Sequence, residues 1–319
     1  MNYIISEQQD GMLLRTYLRT VCRVSSRLLS RLKQTPGGIT LDGEPVTVRA
    51  RLRANAVLSL AIEDQSSATS AMTTAPLTSV VPRALPLQIL YEDGYILLCN
   101  KPADMPTHPS HGHFDDTLAN AVAAYELSHG RHAPVFRPIT RLDRNTSGVV
   151  LIAQTQLAAS RLSEDMRLGN IRKTYYALLC GAMPEKQGEI LTGIRRAQKS
   201  VILREVCDID EPNAAVARTR YEVVASWQTE DGSVRSLVRA TPLTGRTHQL
   251  RLHFAASGAP VLGDGLYGYG EVPDFCGHAL HAKTLSFSHP VTGTAMTVDA
   301  PLPTGFLSII PSEYQPLIE

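Results

Sequence analysis

Net charge is nearly absent from this chain taken whole: 31 Lys+Arg face 30 Asp+Glu, for a formal charge of +1. That balance announces no nucleic-acid partner by itself, so a polyanion would have to be met by a local patch. Cysteine is sparse and unpatterned. Cys22, Cys99, Cys180, Cys207 and Cys276 form no C-x-x-C pair, which indicates neither a zinc site nor a disulfide framework. They read as scattered reduced thiols of a cytosolic protein. His108, His111 and His113 lie close together, but no ligand spacing accompanies them, so no metal is expected. There is no P-loop and no G-x-G-x-x-G, so no nucleotide cofactor is expected. No run approaches a transmembrane span. Met1-Asn2-Tyr3-Ile4-Ile5-Ser6-Glu7 lacks the charged-then-apolar pattern of a signal peptide. The expectation is a cytoplasmic monomer, without membrane contact, metal or cofactor.

What is present is an asymmetry. At 319 residues and 43% hydrophobic content, the chain suggests about two domains with ample core. Residues 1–62 read as a small basic unit. Leu14 and Leu18 share a helical face, and Ser25-Ser26 offers an N-cap for a second helix over Arg27–Lys33. Short strands Ile39–Leu41 and Glu44–Val46 flank the turn Asp42-Gly43, with a further strand over Ala56–Leu60. Through residue 60, Arg15, Arg19, Arg23, Arg27, Arg31, Lys33, Arg49, Arg51 and Arg53 oppose only Glu7, Asp10, Asp42 and Glu44. An excess carried by Arg suits a phosphate-tracking surface, with Arg27 and Arg31 as RNA contacts. A solvated helix face is the plain alternative. Ser25-Ser26-Arg27-Leu28-Leu29 and Ile39-Thr40-Leu41-Asp42-Gly43 resemble the small α-L RNA-binding fold of a small-subunit ribosomal protein.

Residues 63–84 read as a flexible linker, with Asp64–Pro76 small, polar and aperiodic. Residues 85–319 then form the larger domain. Strands over Leu87–Tyr91 and Tyr95–Cys99 deliver the loop Asn100-Lys101-Pro102. Amphipathic helices follow over Leu118–Leu127 and Gln156–Met166. Ile171–Gly181, 218–224 and 233–241 read as strands, and 184–215 as peripheral hairpins whose Arg195, Arg196 and Lys199 could add RNA contacts.

The chemistry centres on Arg141-Leu142-Asp143-Arg144-Asn145-Thr146-Ser147-Gly148, feeding the apolar run Val149–Ala153. One carboxylate stands between two guanidinium groups on a turn, and opposite charge favours its ionised form. Such a carboxylate can act as a nucleophile. A structural Asp in an Arg-capped turn is the bland reading. The stretch, however, resembles the R-L-D-x-x-T-S-G signature of RluA-type pseudouridine synthases, in which the Asp is the nucleophile.

Other segments resemble the same family. Lys101-Pro102 resembles its opening motif, with Asp104 where Gly is common, and the resemblance places Lys101 near substrate phosphate. Thr140 stands where the family often has His. Lys173-Thr174-Tyr175-Tyr176-Ala177 resembles its tyrosine strand. Strand alternation lets only one of the two tyrosines face the site, and the pattern selects Tyr175, as a stacking and proton-relay group. Gly245-Arg246-Thr247-His248-Gln249-Leu250-Arg251 resembles the motif whose second Arg pairs with the nucleophile. That implies an Arg251–Asp143 ion pair, with Leu250 as an apolar wall under the uracil. Arg246, His248 and Gln249 are left as RNA contacts or loop supports. Arg141 is the candidate to fill a vacated base stack and Arg144 to meet phosphate.

The resemblance implies an α+β fold: a mixed, mainly antiparallel sheet with flanking helices, plus the small N-terminal α/β module. It implies isomerisation of uridine to pseudouridine in structured RNA, with base flipping; the added basic module favours ribosomal RNA ahead of transfer RNA. Two competitors stand beside it. One is a non-catalytic RNA-binding or ribosome-assembly protein, with no reason to keep Asp143, Tyr175 and Arg251 together. The other is a glycoside hydrolase, which would want a second acid.

Overall fold

The computed structural model describes residues 1–62, 80–131, 135–198, 200–270, 275 and 277–318. The linker stretch Asp64–Pro76, Lys199 and Cys276 therefore lie outside the described residues.

The N-terminal module pairs β1 (Asn2–Ile4), β2 (Ile39–Leu41), β3 (Glu44–Pro45) and β4 (Val57–Leu60) in the order β1-β4-β2-β3. Its helices are α1 (Leu14–Thr20) and α2 (Ser26–Gln34). Ser25 caps α2, its hydroxyl accepting from the Leu28 N–H at 3.2 Å, which satisfies a donor the first turn leaves unpaired. Leu28, Leu29 and Leu32 then fall on one buried face. Arg15, Arg19, Arg27, Lys33, Arg49, Arg51 and Arg53 remain exposed, while Arg31 is half-buried. The exposed cations keep their reach to solvent because apolar side chains, with Ile5, Tyr17 and Val24 beside the leucines, fill the core.

The larger sheet has ten strands among the described residues. They are β5 (Gln88–Glu92), β6 (Ile96–Lys101), β7 (Ser147–Ala153), β8 (Arg172–Cys180), β9 (Gln187–Arg196), β10 (Arg204–Cys207), β11 (Ala215–Gln228), β12 (Val234–Pro242), β13 (Leu280–Ser288) and β14 (Ala295–Asp299). The order is β10-β9-β11-β12-β8-β13-β7-β6-β5, with β14 on β13. Every described pair in it is antiparallel except β7 with β13. This is the mixed, mainly antiparallel sheet expected. Helices α3 (Leu118–Ser128), α4 (Gln156–Leu168), α5 (Gln249–Ala256) and α6 (Thr304–Ile309) accompany it. No helix among the described residues is long and apolar enough to cross a membrane.

Strand β7 is buried along its whole length, as its unbroken apolar sequence requires for a strand covered on both faces. Its parallel contact with β13 is close. Gly148 has φ +118°, and a Cβ there would lie 2.3 Å from the Ala282 carbonyl oxygen. Only glycine lets the strand following Asp143 approach its neighbour this way. Strand alternation separates the two tyrosines of β8. Tyr175 joins the main core with Leu250, while Tyr176 joins a second cluster around Phe306.

The basic module is not merely tethered. Leu157 of α4 packs into the module's own core. Arg161, buried, donates from Nε to the Cys22 carbonyl at 2.9 Å and from Nη2 to the Tyr3 hydroxyl at 3.1 Å. Its Nη1 donates to the Pro290 carbonyl at 2.7 Å. Arg23 pairs with Asp165 at 2.5 Å, and the Ser25 N–H donates to Ser160 Oγ at 2.8 Å. The end of the expected linker is likewise fixed, since Arg83 pairs with Asp115 at 2.7 Å. Arg161 supplies two of these contacts from a buried guanidinium, so the docking is sensitive to its removal. Arg161→Ala is expected to cost about 3 kcal/mol, because it strands buried acceptors as well as losing bonds. It should also expose residues 1–62 to limited proteolysis; an unchanged melting temperature and cleavage pattern would refute this role.

Candidate active site

Asp143 opens a tight turn: the Thr146 N–H donates to its carbonyl at 3.1 Å. Buried side chains hold that turn on both sides. On the exit, His278 Nε2 lies 2.7 Å from Thr146 Oγ1 and His281 Nδ1 lies 2.8 Å from Ser147 Oγ. His281 Nε2 also meets the Ala300 carbonyl at 3.3 Å. A carbonyl only accepts, so Nε2 carries the proton and Nδ1 accepts from Ser147. On the entrance, Thr107 Oγ1 donates to the Leu142 carbonyl at 2.8 Å.

Lys101 completes the support, and here the expectation is corrected. Its side chain is fully buried. Nζ donates to the carbonyls of Pro102 at 2.8 Å, Met105 at 2.7 Å and Arg144 at 2.9 Å. Three acceptors use all three ammonium protons, so none is left for a substrate phosphate. Burial pulls its pKa down to about 7, with the Asp143 charge opposing; the three carbonyls add a further pull toward the charged form. Lys101 ties the loop after β6 to the turn that carries Asp143.

The expected contact between Arg251 and Asp143 is present, with Nη1 3.4 Å from Oδ2. It is the weaker of two. Arg251 is held bidentately by Asp264, from Nε to Oδ2 and from Nη2 to Oδ1, both at 2.7 Å. Asp264 is fully buried and also accepts from the Leu266 and Tyr267 N–H groups at 2.9 and 3.1 Å. Burial works to raise the Asp264 pKa, but the bonds and charge of Arg251 outweigh it and hold it below the ordinary value. Sequence reading passed over Asp264. The local signal is a carboxylate between two glycines, Gly263-Asp264-Gly265. The Arg251 guanidinium also lies 5.1 Å from the Tyr267 ring centroid, in cation–π range.

His248 faces the same carboxylate, Nε2 standing 4.0 Å from Asp143 Oδ2. Its backbone is left-handed at φ +58°, an uncommon state for a bulky residue. Nδ1 lies 2.7 Å from the Tyr267 hydroxyl, which itself accepts from the Arg204 N–H at 3.0 Å. Burial lowers the His248 pKa against the opposing charge of Asp143. The neutral ring therefore accepts at Nδ1 from Tyr267 and turns an Nε2–H toward Asp143, the tautomer that avoids a lone pair facing a carboxylate.

Tyr175 and Leu250 share the buried cluster behind the turn. Burial raises the Tyr175 pKa, and the Asp143 charge adds to the effect, so the phenol keeps its proton. A proton-abstracting role for Tyr175 is disfavoured on that ground. Gln249 is a loop support: buried, it accepts from the Arg246 N–H at 3.0 Å and donates to the Arg218 carbonyl at 2.9 Å. Arg246 donates to the Val216 carbonyl at 2.9 Å and is exposed. Arg144 turns away from Asp143 to pair with Asp104 at 2.6 Å. The residue that departs from the family pattern thus has a partner. Arg141 is exposed. Thr140, buried, accepts from the Leu151 N–H at 2.9 Å, so it serves the turn.

Residues 95–256 match the family model described as RNA pseudouridylate synthase. The chain is 34% identical over 291 residues to the uncharacterized RNA pseudouridine synthase YjbO of Bacillus subtilis, covering 91% of this chain and 95% of that one. It is 34% identical over 246 residues to ribosomal large subunit pseudouridine synthase D of Pasteurella multocida, covering 73% and 72%. Among solved structures, human RNA pseudouridylate synthase domain containing 1 superposes with a TM-score of 0.57 at 29% identity, covering 68% of this chain and 84% of that one. The chain belongs to the RNA pseudouridine synthase family, in the RluA-type group whose motifs it carries. It is an RNA-modifying isomerase.

Three buried neutral histidines, two at the turn and His253 on α5, carry a pH dependence. Burial lowers His253, His278 and His281 to about 4 each. Between about 4 and 6.5 the unfolded chain binds protons that the folded one refuses, so stability is whole above 6.5 and falls as pH drops. Each group contributes about 1.4 kcal/mol per pH unit across that window. Melting temperature should fall between pH 7 and pH 5; a flat profile would show that these rings are protonated in the fold.

Proposed function

We propose that the enzyme isomerises uridines of ribosomal RNA through Asp143. The carrying observation is the difference in exposure at the ion pair. The Asp143 side chain is 28% exposed beside an Arg251 that is 6% exposed, while Asp264 is closed off completely. One carboxylate is open to substrate and its charge partner is fixed from behind. The reaction breaks the bond from C1′ to N1 of uracil, turns the base, and joins C1′ to C5. The C5 proton leaves to solvent and N1 takes one up, so no redox change is required. Asp143 supplies the negative charge at the reacting centre, and Arg251 and the Nε2–H of His248 fix its orientation. Tyr175 and Leu250 offer the apolar floor for the ring, and exposed Arg141 is free to enter the stack that the flipped base leaves.

Ribosomal RNA, ahead of transfer RNA, is supported by the name of the Pasteurella relative and by the exposed arginines of residues 1–62. A cytoplasmic monomer fits that substrate. The convergence of Asp143 and Arg251 beside Tyr175 is what a non-catalytic RNA-binding protein would not need. Two measurements test the reading. Asp143→Asn should lower pseudouridine formation by about ten-thousandfold, measured as tritium release from [5-³H]uridine-labelled RNA, with RNA binding intact; full activity would sink the assignment. Arg27→Gln should weaken binding to all RNAs about equally and reduce the slope of log affinity against log salt by about 1. An unchanged slope would remove Arg27 from the RNA surface.

A further inference from the structure

One wall of the site is the β9–β10 hairpin. Its inner face is anchored: Ile194 packs with Leu252 of α5, and Val206 and Tyr267 pack against them. Its two strands are tied by Arg195, which pairs with Glu205 at 2.7 Å and with Glu211. The start of β10 connects to the site through two residues, because the Arg204 N–H donates to the Tyr267 hydroxyl that holds His248.

The tip itself is built, not loose. Ser200 Oγ accepts from the N–H groups of Ile202 at 3.2 Å and Leu203 at 2.9 Å. The Leu203 carbonyl accepts from the Ala197 N–H at 3.1 Å. Arg204 folds back, its Nη1 donating to the carbonyls of Val201, Ile202 and Leu203 at 3.4, 3.3 and 3.1 Å. This hydrogen bonding orders a turn on which two adjacent side chains are apolar and bare: Val201 is 79% exposed and Ile202 is 64% exposed. Both are β-branched and stiff at χ1, so little side-chain entropy would be lost on insertion. Neither contributes to any buried cluster of the protein. Two adjacent exposed aliphatics at an active-site rim are a liability unless something covers them.

We propose that Val201 and Ile202 form an apolar wedge that enters the base stack of the RNA beside the flipped uridine. The occupant follows from the surroundings. Exposed Arg196 and half-buried Arg204 flank the tip, which suits a polyanion and opposes a second copy of the same cationic tip. The wedge continues the site through Tyr267 and His248. Extruding a base costs unstacking of its neighbours, and apolar side chains inserted at a base step are a general means of holding such a distortion open. Arg141 would take the vacated place, and the hairpin tip would hold the adjoining step from the other wall.

The proposal rests on the enzyme acting on base-paired RNA, and the test separates that from the wedge. The substrate is total [5-³H]uridine-labelled RNA from cells lacking this protein, which contains its targets whatever their class. Val201→Ser/Ile202→Ser changes only exposed side chains. Its single-turnover tritium release should fall about tenfold, with RNA affinity within about threefold of the parent and an unchanged melting temperature. Val201→Leu/Ile202→Leu should restore most of the rate, since a wedge needs apolar bulk and not these particular shapes. Heating and snap-cooling the RNA in low salt, which unpairs it, should narrow the gap between parent and serine variant. A serine variant as fast as the parent would overturn the wedge. So would a loss that leucine does not rescue, or a parent that sediments as a dimer and a serine variant that sediments as a monomer. If parent and variant lose activity together on the folded RNA and both recover on the unpaired RNA, the reading of a base-paired target fails and the wedge fails with it.

Discussion

A single buried guanidinium governs this site. Arg251 is committed by two 2.7 Å bonds to Asp264 and reaches Asp143 at 3.4 Å with its remaining edge. The division is physically sensible. An arginine this deeply buried needs a fully desolvated partner, and leaving it unpaired would cost about 3–5 kcal/mol. Asp264 meets that demand permanently. Asp143 is thereby spared a structural duty, and its contact with Arg251 can lengthen, shorten or be replaced by substrate without stranding a charge.

The rest of the scaffold serves the placement of that one open carboxylate. Lys101 closes three carbonyls around the turn, and His278 and His281 hold the two hydroxyls that follow it. All of these groups are buried, where each satisfied bond is stronger than in water and each unsatisfied one more damaging. Gly148 lets the strand run against β13 at a separation no side chain would permit. The turn is therefore pinned at both ends by packing and polar contacts, which is what a reacting group needs to stay within a fraction of an ångström of its target.

Much of this was legible from the residues. The unbroken apolar run after Gly148 is realised as a strand buried along its whole length, and period-two alternation separated Tyr175 from Tyr176. The leucine spacing of α1 and the serine cap of α2 were local signals and read true. What escaped was long-range. Nothing local distinguishes Lys101 from a surface lysine, because its burial depends on carbonyls at Met105 and Arg144. Asp264 lies 13 residues past Arg251, and only the fold turns its carboxylate inward. The three-residue β1 was missed because it is too short for a pattern, and α6 because it is six residues entered through Pro303. The docking of residues 1–62 was hidden for the same reason: Arg161 looks like one more cation on a helix until its acceptors are assembled from Tyr3, Cys22 and Pro290.

That docking changes how the arginines of the module act. A cation on a free tether raises local RNA concentration without regard to orientation. Cations on a module keyed to α4 by Arg161, Arg23 and Leu157 stand at set distances from an Asp143 carboxylate that is itself fixed. On the proposed reading, an RNA must then satisfy both surfaces at once, and sequences that fit one without the other gain only part of the binding energy. Phosphate contacts read no bases, but contacts held in a rigid frame read shape. Selection of one uridine among many can thus arise from two rigidly related patches, neither of which needs to recognise a base edge.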